Sequence, residues 1–256
     1  GPAGDTQPLE GVAHNDGVLG ETREILFDTS DAQNRIEQIR TTWVAGDSGR
    51  SDVIRGNYGN DVIFGGLNSS SDYLYGDDGD DILVGDQGEV IFDADGNLDT
   101  VDLIRSFADN VGGGDVIEGN NGRDVLIGGT GADLMAGNDG EDILLGDNAR
   151  IELIGLTGRL LVQVAAMPAA TAIDYIGTTD ILETTGGADI MSGNAGNDIL
   201  FGGVNNGGVD TLYGDSATPN NAADGDDIMV GDNGLLDCTL DADTYGMPLD
   251  LVRSLL

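Results

Sequence analysis

The sequence predicts an all-β chain built by repetition. Three observations carry that expectation. Nonapeptides with Gly first, Gly fourth, Asp sixth and an aliphatic residue eighth recur along the chain. Gly and Asp are enriched together, with 43 Gly and, counted along the chain, 38 Asp against 9 Glu. Position seven of the unit is mostly Val or Ile, the β-branched preference of a strand.

The clearest units stand in tandem at Gly119–Ile127, Gly128–Ala136 and Gly137–Leu145, and the same unit appears at Gly56–Phe64, Gly76–Val84 and Gly193–Phe201. Position eight reads Ile54, Ile63, Leu74, Leu83, Ile117, Leu126, Met135, Leu144, Leu182, Met191, Leu200, Leu212 and Met229. A column that is aliphatic throughout lines an interior. Each unit therefore reads as a six-residue turn followed by a three-residue strand.

Position six is Asp in every copy, in three blocks: Asp52, Asp61, Asp72 and Asp81; Asp115, Asp124, Asp133 and Asp142; Asp180, Asp189, Asp198, Asp210 and Asp227. Turn propensity alone would accept Asn there, so invariant Asp implies a need for charge. Position two is Asp47, Asn57, Gly66, Asp77, Asp86, Asn120, Gly129, Asn138, Asp147, Asn194, Gly203, Asp215 or Asp232. Gly, Asn and Asp tolerate φ > 0 best. The Asp members of this set (Asp77, Asp86, Asp147, Asp215, Asp232) are backbone-geometry residues or additional ligands.

A longer period overlies the short one. The blocks end at Val84-Gly85-Asp86, Leu145-Gly146-Asp147 and Val230-Gly231-Asp232. Alternating stretches follow, such as Glu89–Asp93, which matches Glu24–Asp28, and Val101–Ser106, which matches Ile36–Thr41 and Leu249–Ser254. Alternation predicts paired strands or hairpins. The chain divides into a lead-in, 1–19, in which Gly1-Pro2 reads as a cleavage scar. Repeat units follow at 20–85, 86–146 and 147–231, with the start of a fourth at 232–256. Together they form one elongated solenoid. Positions seven and nine include Phe64, Tyr75, Val84, Leu145, Phe201 and Tyr213. The strands' outer faces are thus partly apolar, and the inserted segments are expected to cover some of them.

Composition removes several function classes. The formal charge is −37 and all ten basic residues are Arg. No basic footprint exists for nucleic acid or anionic lipid. No apolar run reaches membrane-spanning length. One Cys, Cys238, permits no intramolecular disulfide. Gly46-Asp47-Ser48-Gly49 resembles a serine-protease motif, but the only His, His14, lies in a polar N-terminal stretch, and Ser48 reads as a turn residue. Asp93-Ala-Asp95-Gly96-Asn97-Leu-Asp99 departs from an EF-hand at Gly and at Glu, so it reads as a hairpin tip with an accessory Ca²⁺ site as the alternative, and Asp241–Asp243 shares this ambiguity. No catalytic residue is expected, and no His or Cys cluster supports Zn²⁺.

The consensus Gly-Gly-x-Gly-x-Asp-x-aliphatic-x closely resembles the RTX (repeats-in-toxin) calcium-binding nonapeptide family. The resemblance implies a right-handed parallel β-roll with two nonapeptides per coil. It also implies Ca²⁺ between successive turns of one edge, held by Asp carboxylates and turn carbonyls. Pairing same-edge turns gives Asp52/Asp72, Asp61/Asp81, Asp115/Asp133, Asp124/Asp142, Asp180/Asp198, Asp189/Asp210 and Asp198/Asp227. That is about seven ions, suited to a cation that accepts six to eight oxygens in flexible geometry. The expected function is a calcium-dependent structural module of an extracellular or bacterial cell-surface protein. It would be exported through a type I system, and its partners would be Ca²⁺ and its own neighbouring repeats. The alternatives are an export and folding appendage of a secreted enzyme, an adhesin-type recognition domain, or a calcium reservoir.

Overall fold

Short β-branched stretches interrupted every few residues by Gly and Asx residues cannot sustain a helix, and they favour brief strands joined by tight turns. The structure, a computed structural model, describes residues 9–10, 17–19, 23–27, 36–42, 49–92, 94, 101–107, 111–153, 175–179, 185–215, 225–237 and 251–254. No helix occurs among them. A lead-in coil holds β1 (Leu9–Glu10) and β2 (Gly17–Leu19). An antiparallel pair follows, β3 (Arg23–Phe27) and β4 (Ile36–Thr41), and then two coils, β5 (Val53–Tyr58) with β6 (Val62–Phe64) and β7 (Tyr73–Asp78) with β8 (Ile82–Val84).

The same sequence of elements then recurs. The pair β9 (Gly88–Ile91) and β10 (Leu103–Ser106) precedes the coils β11 (Val116–Asn121) with β12 (Val125–Gly129) and β13 (Leu134–Asp139) with β14 (Ile143–Asp147). The pair β15 (Ala149–Glu152) and β16 (Tyr175–Thr178) precedes β17 (Ile190–Ala195) with β18 (Ile199–Phe201) and β19 (Thr211–Tyr213) with β20 (Ile228–Val230). A fourth pair, β21 (Gly234–Asp237) and β22 (Leu251–Ser254), comes last.

Alternate coil strands fall into two parallel sheets. Sheet A runs β1-β5-β7-β11-β13-β17-β19 and sheet B runs β2-β6-β8-β12-β14-β18-β20. The antiparallel pairs join edge to edge into a third sheet, C, in the order β22-β21-β16-β15-β10-β9-β4-β3. The expected β-roll is present, with two nonapeptides per coil, and the inserts form one continuous layer beside it. One expectation needs correction. The three-residue strand describes β6, β8, β18, β19 and β20, but β12 and β14 run five residues and β5, β7, β11, β13 and β17 run six, through position three of the next nonapeptide. There the position-two residues Asn57, Asp77, Asn120, Asn138 and Asn194 have φ of 73–82° and still pair across coils, so a left-handed residue bends the strand without ending its ladder.

Two cores result. Between sheets A and B lies the position-eight column, with Ile54, Leu74, Ile117, Met135 and Met191 from one side and Ile63, Leu83, Leu126, Leu144 and Leu200 from the other. Met229, on β20, is half exposed, and Leu182 lies outside the described residues. Between sheets B and C lies a second core. Positions seven and nine of sheet B (Val62, Phe64, Ile127, Ile143, Phe201 and others) meet Ile39, Val90, Ile104, Ile151, Ile176 and Leu236 of sheet C. Sheet B is buried on both faces, the condition under which a parallel strand reads as a continuous apolar run. Sheet A keeps its outer face open, and Leu134 there is 49% exposed.

The layers match in spacing. Strands in a sheet repeat at about 4.8 Å, so two coils rise by about 9.6 Å and a two-strand insert occupies the same length. One insert after every second coil therefore tiles sheet B without gap or overlap. Hydroxyls tie successive inserts together: Thr41 Oγ1 accepts the Gly88 N–H at 3.0 Å, Ser106 Oγ accepts the Ala149 N–H at 2.9 Å, and Thr178 Oγ1 accepts the Gly234 N–H at 3.0 Å. Ile127→Ala should therefore cost about 2–5 kcal/mol in chemical denaturation. Leu134→Ala, on the open face, should stay within about 0.5 kcal/mol. Equal losses would show that sheet C does not cover sheet B in solution.

Candidate metal centre

The sixth-position aspartates line the two turn edges of the roll. Asp52, Asp72, Asp115, Asp133, Asp189 and Asp210 stand where the chain enters sheet A, and Asp61, Asp81, Asp124, Asp142, Asp198 and Asp227 where it enters sheet B. Each backbone N–H donates to Oδ1 of the Asp one coil further on, at 2.7–3.0 Å through every step of both ladders. One carboxylate oxygen thus sets the stacking. The other, Oδ2, is buried without a hydrogen-bond partner at Asp81, Asp115, Asp124, Asp133, Asp142, Asp189 and Asp198.

These oxygens face the first glycine of their own turn. A Cβ on Gly56 would meet Asp61 Oδ2 and lie 2.7 Å from the Gly76 carbonyl oxygen of the next coil. A Cβ on Gly76 would meet Asp81 Oδ2 and lie 2.7 Å from the Gly119 carbonyl oxygen. The same arrangement joins Gly65 to Asp72 and Gly85, Gly85 to Asp115 and Gly128, Gly128 to Asp133 and Gly146, and Gly193 to Asp198 and Gly214. Glycine is required here because its missing side chain leaves a cradle between a carboxylate and a carbonyl. Among the described residues no three His, Cys, Asp or Glu side chains converge as a ready metal cluster. A cation in a cradle would be held by carboxylate and main-chain oxygens together. Such hard oxygen donors suit Ca²⁺, which tolerates irregular geometry, better than Mg²⁺ or Zn²⁺.

Without a cation, burying these groups is costly, because an ionised carboxylate out of water needs a partner. Burial pushes Asp81, Asp115, Asp189 and Asp198 up to about 7, Asp72 and Asp142 up to about 8 and Asp124 up to about 9. Burial also raises Asp52 and Asp210, and Asp133 rises well above the usual range, with the charges of Asp189 and Asp115 adding to it.

Position two divides by turn. Asp77 has φ 73° and its Oδ1 meets Arg55 at 3.0 Å on the outer surface. Asp86 and Asp147 are buried, lack positive φ and stand where inserts leave the roll; Asp86 Oδ2 accepts the Thr130 N–H at 2.6 Å and Asp147 Oδ2 accepts the Val204 N–H. Asp215 is half-buried and Asp232 exposed, and neither has positive φ. Of the two readings left open for the Asp members, left-handed backbone geometry therefore holds at Asp77 and does not hold at Asp86, Asp147, Asp215 and Asp232. At Asp86 and Asp147 the longer connection relieves the need for a left-handed residue. Asp47, Asp180, His14, Ser48, Asp93, Asp95, Asp99, Asp241 and Asp243 lie outside the described residues.

Pairing within blocks missed the steps between blocks: Asp72 to Asp115, Asp81 to Asp124, Asp133 to Asp189 and Asp142 to Asp198. The preceding ladder neighbour of Asp198 is Asp142, which displaces the expected Asp180/Asp198 pair. The block-end Gly-Asp dipeptides were the available signal, since each is an ordinary position one and two whose turn is completed only after the insert.

A folded-state value above the unfolded 3.8 means that the folded chain holds more protons. In the metal-free chain this penalty is absent below about 4 and grows as pH rises through about 7–9. The chelator-treated protein should therefore show more β signal by circular dichroism at pH 5 than at pH 8.5. A flat or rising profile would contradict the burial of these carboxyls.

The model of the RTX calcium-binding nonapeptide repeat matches the chain in four copies, at residues 47–68, 68–91, 109–146 and 177–207. No curated protein and no solved structure gives a significant match.

Proposed function

Because this chain belongs to the RTX calcium-binding nonapeptide-repeat family and is a calcium-binding structural module, we propose that the twelve sixth-position aspartates of the two ladders supply the calcium ligands and that the ion completes the fold. The observation that carries this reading is the repeated cradle, a buried Oδ2 facing the carbonyl oxygen of the next coil. The ladders make five steps on each edge, so the count expected from the blocks, about seven ions, rises toward about ten. Asp86 and Asp147 serve mainly as hydrogen-bond acceptors, and Asp77, Asp215 and Asp232 as surface or turn residues.

When bound, Ca²⁺ supplies positive charge to carboxylates that the coils bring close together. Each site would add roughly 2.7 kcal/mol at a free ion concentration near a hundred times its Kd. Such a module is loose where calcium is scarce and rigid where it is abundant, which suits a secreted or cell-surface protein that crosses a membrane unfolded and folds outside. The open outer face of sheet A, with Val53, Tyr73, Leu134 and Ile190 exposed, favours adhesin-type recognition as a second role over a purely inert spacer.

Metal-stripped chain titrated with CaCl₂ should gain β signal cooperatively, and MgCl₂ should give little. A fully folded apo protein at pH 7.5 that ignores Ca²⁺ would refute the reading. Gly137→Ala gives a local version of the test. Gly137 has no positive φ, so the added methyl harms chiefly by colliding with the Asp142 carboxylate. Calorimetric Ca²⁺ stoichiometry should fall by about one, with affinity elsewhere retained.

A further inference from the structure

Two cradles differ from the rest in how far apart their glycine and aspartate lie in the chain. In an ordinary turn the glycine and the aspartate are five positions apart, as with Gly137 and Asp142. Gly85 and Asp115 are 30 apart, and Gly146 and Asp189 are 43 apart. Their geometry is nevertheless the common one. A Cβ on Gly85 would collide with Asp115 Oδ2 and the Gly128 carbonyl, and one on Gly146 with Asp189 Oδ2 and the Gly202 carbonyl. Both Oδ2 atoms are buried and lack a hydrogen-bond partner.

What lies between glycine and aspartate in these two turns is sheet C. The first gap contains β9 and β10, the second β15 and β16. The exit residue of each insert grips the point of return. Asp86 accepts N–H groups from Gly113 and from Thr130 of the next coil, and Gly112 lies against its carboxylate. Asp147 accepts the Val204 N–H, and Gly186 lies against its carboxylate.

We infer that these two cradles are clasps, in which cation binding and docking of the insert on sheet B are one coupled equilibrium. The inference rests on the calcium reading above. An open loop brings its ends together with a probability that falls roughly as the −3/2 power of its length. With the insert undocked, a glycine and an aspartate 30 and 43 positions apart meet about 15-fold and about 25-fold less often than a pair five apart. A docked insert removes that handicap. Coupling is reciprocal, so the cation holds the insert down by the same factor by which docking raises its affinity. The clasps fill last, and sheet C registers whether they are filled.

The absence of Lys makes this readable, because trypsin can cut only at the ten Arg. Arg105 and Arg150 report on sheet C, in β10 and β15, while Arg55 and Arg123 report on the roll. In the full chain at saturating CaCl₂, Asp115→Asn should speed cleavage at Arg105 about tenfold or more, and Asp189→Asn should do so at Arg150, with Arg55 still protected. Asp61→Asn removes the Gly56 cradle, whose glycine, aspartate and facing Gly76 carbonyl enclose no strand pair of sheet C, and should leave both sheet C sites as slow as in the wild type. Conversely, Ile104→Ala, in the core between sheets B and C, should weaken the last calorimetric Ca²⁺ step several-fold and spare the first. The wild-type chain gives the same test unmutated: across a Ca²⁺ titration, protection at Arg105 and Arg150 must follow the last binding step.

Equal cleavage at Arg105 in Asp115→Asn and Asp61→Asn would overturn the clasp, as would protection complete at the first step. Ca²⁺ bound at the expected stoichiometry with indifferent cleavage would remove the clasp alone. No calorimetric binding at all would remove the calcium reading itself.

Discussion

The roll depends on stacking like charges at strand spacing. Two carboxylates about 5 Å apart repel by roughly 3 kcal/mol at an effective dielectric near 20, and each edge repeats that contact coil after coil. The chain divides the duties of one side chain. Oδ1 accepts the neighbouring N–H and fixes the rise, while Oδ2 is buried beside a carbonyl where only a proton or a cation can satisfy it. Acid and metal are therefore alternative solutions to one electrostatic problem. Protonation gives way as pH rises through about 7–9, and above that range only the metal pairs the row of buried carboxylates.

The apolar layers are arranged around that problem. The interior between sheets A and B takes one position-eight side chain from each strand and cannot by itself offset the entropy of ordering so Gly-rich a chain. Sheet C adds a second apolar interface on the far side of sheet B, including the fully buried Phe64 and Phe201. Sheet B thereby becomes the central layer of three, and the carboxylate ladders run along its margins.

Much of this was legible in the sequence, for identifiable reasons. The period of nine exposes the coil, because position eight is apolar in every copy and position six is Asp in every copy. The Val-Ile-Phe and Asp-Leu-Ile-Arg-Ser stretches announced strands by alternation, since one face of each had to meet a core. The partner of those strands was not legible: period-two patterning says that a face is buried, not against which layer. Nor was ladder continuity. Asp72 and Asp115 are coil neighbours in space, but 43 residues of chain with its own strands separate them in sequence, and local spacing carries no record of that closure. Asp86 and Asp147 were ambiguous for a related reason. Carboxylates beside glycine look alike on paper whether they accept an N–H or face a cradle.

The spacing match between inserts and coils has a consequence for how such a chain can vary. Removing a single coil would bring two insert-bearing turns together. Asp86 now lies against Gly129, and Asp147 against Gly203, where a second Asp would not fit. Two inserts would also compete for the width of one. Viable changes in length must therefore come as whole steps of two coils and one strand pair, about 9.6 Å of axial rise each. The rod is quantised, and recombination among its units can alter its reach only in multiples of that step.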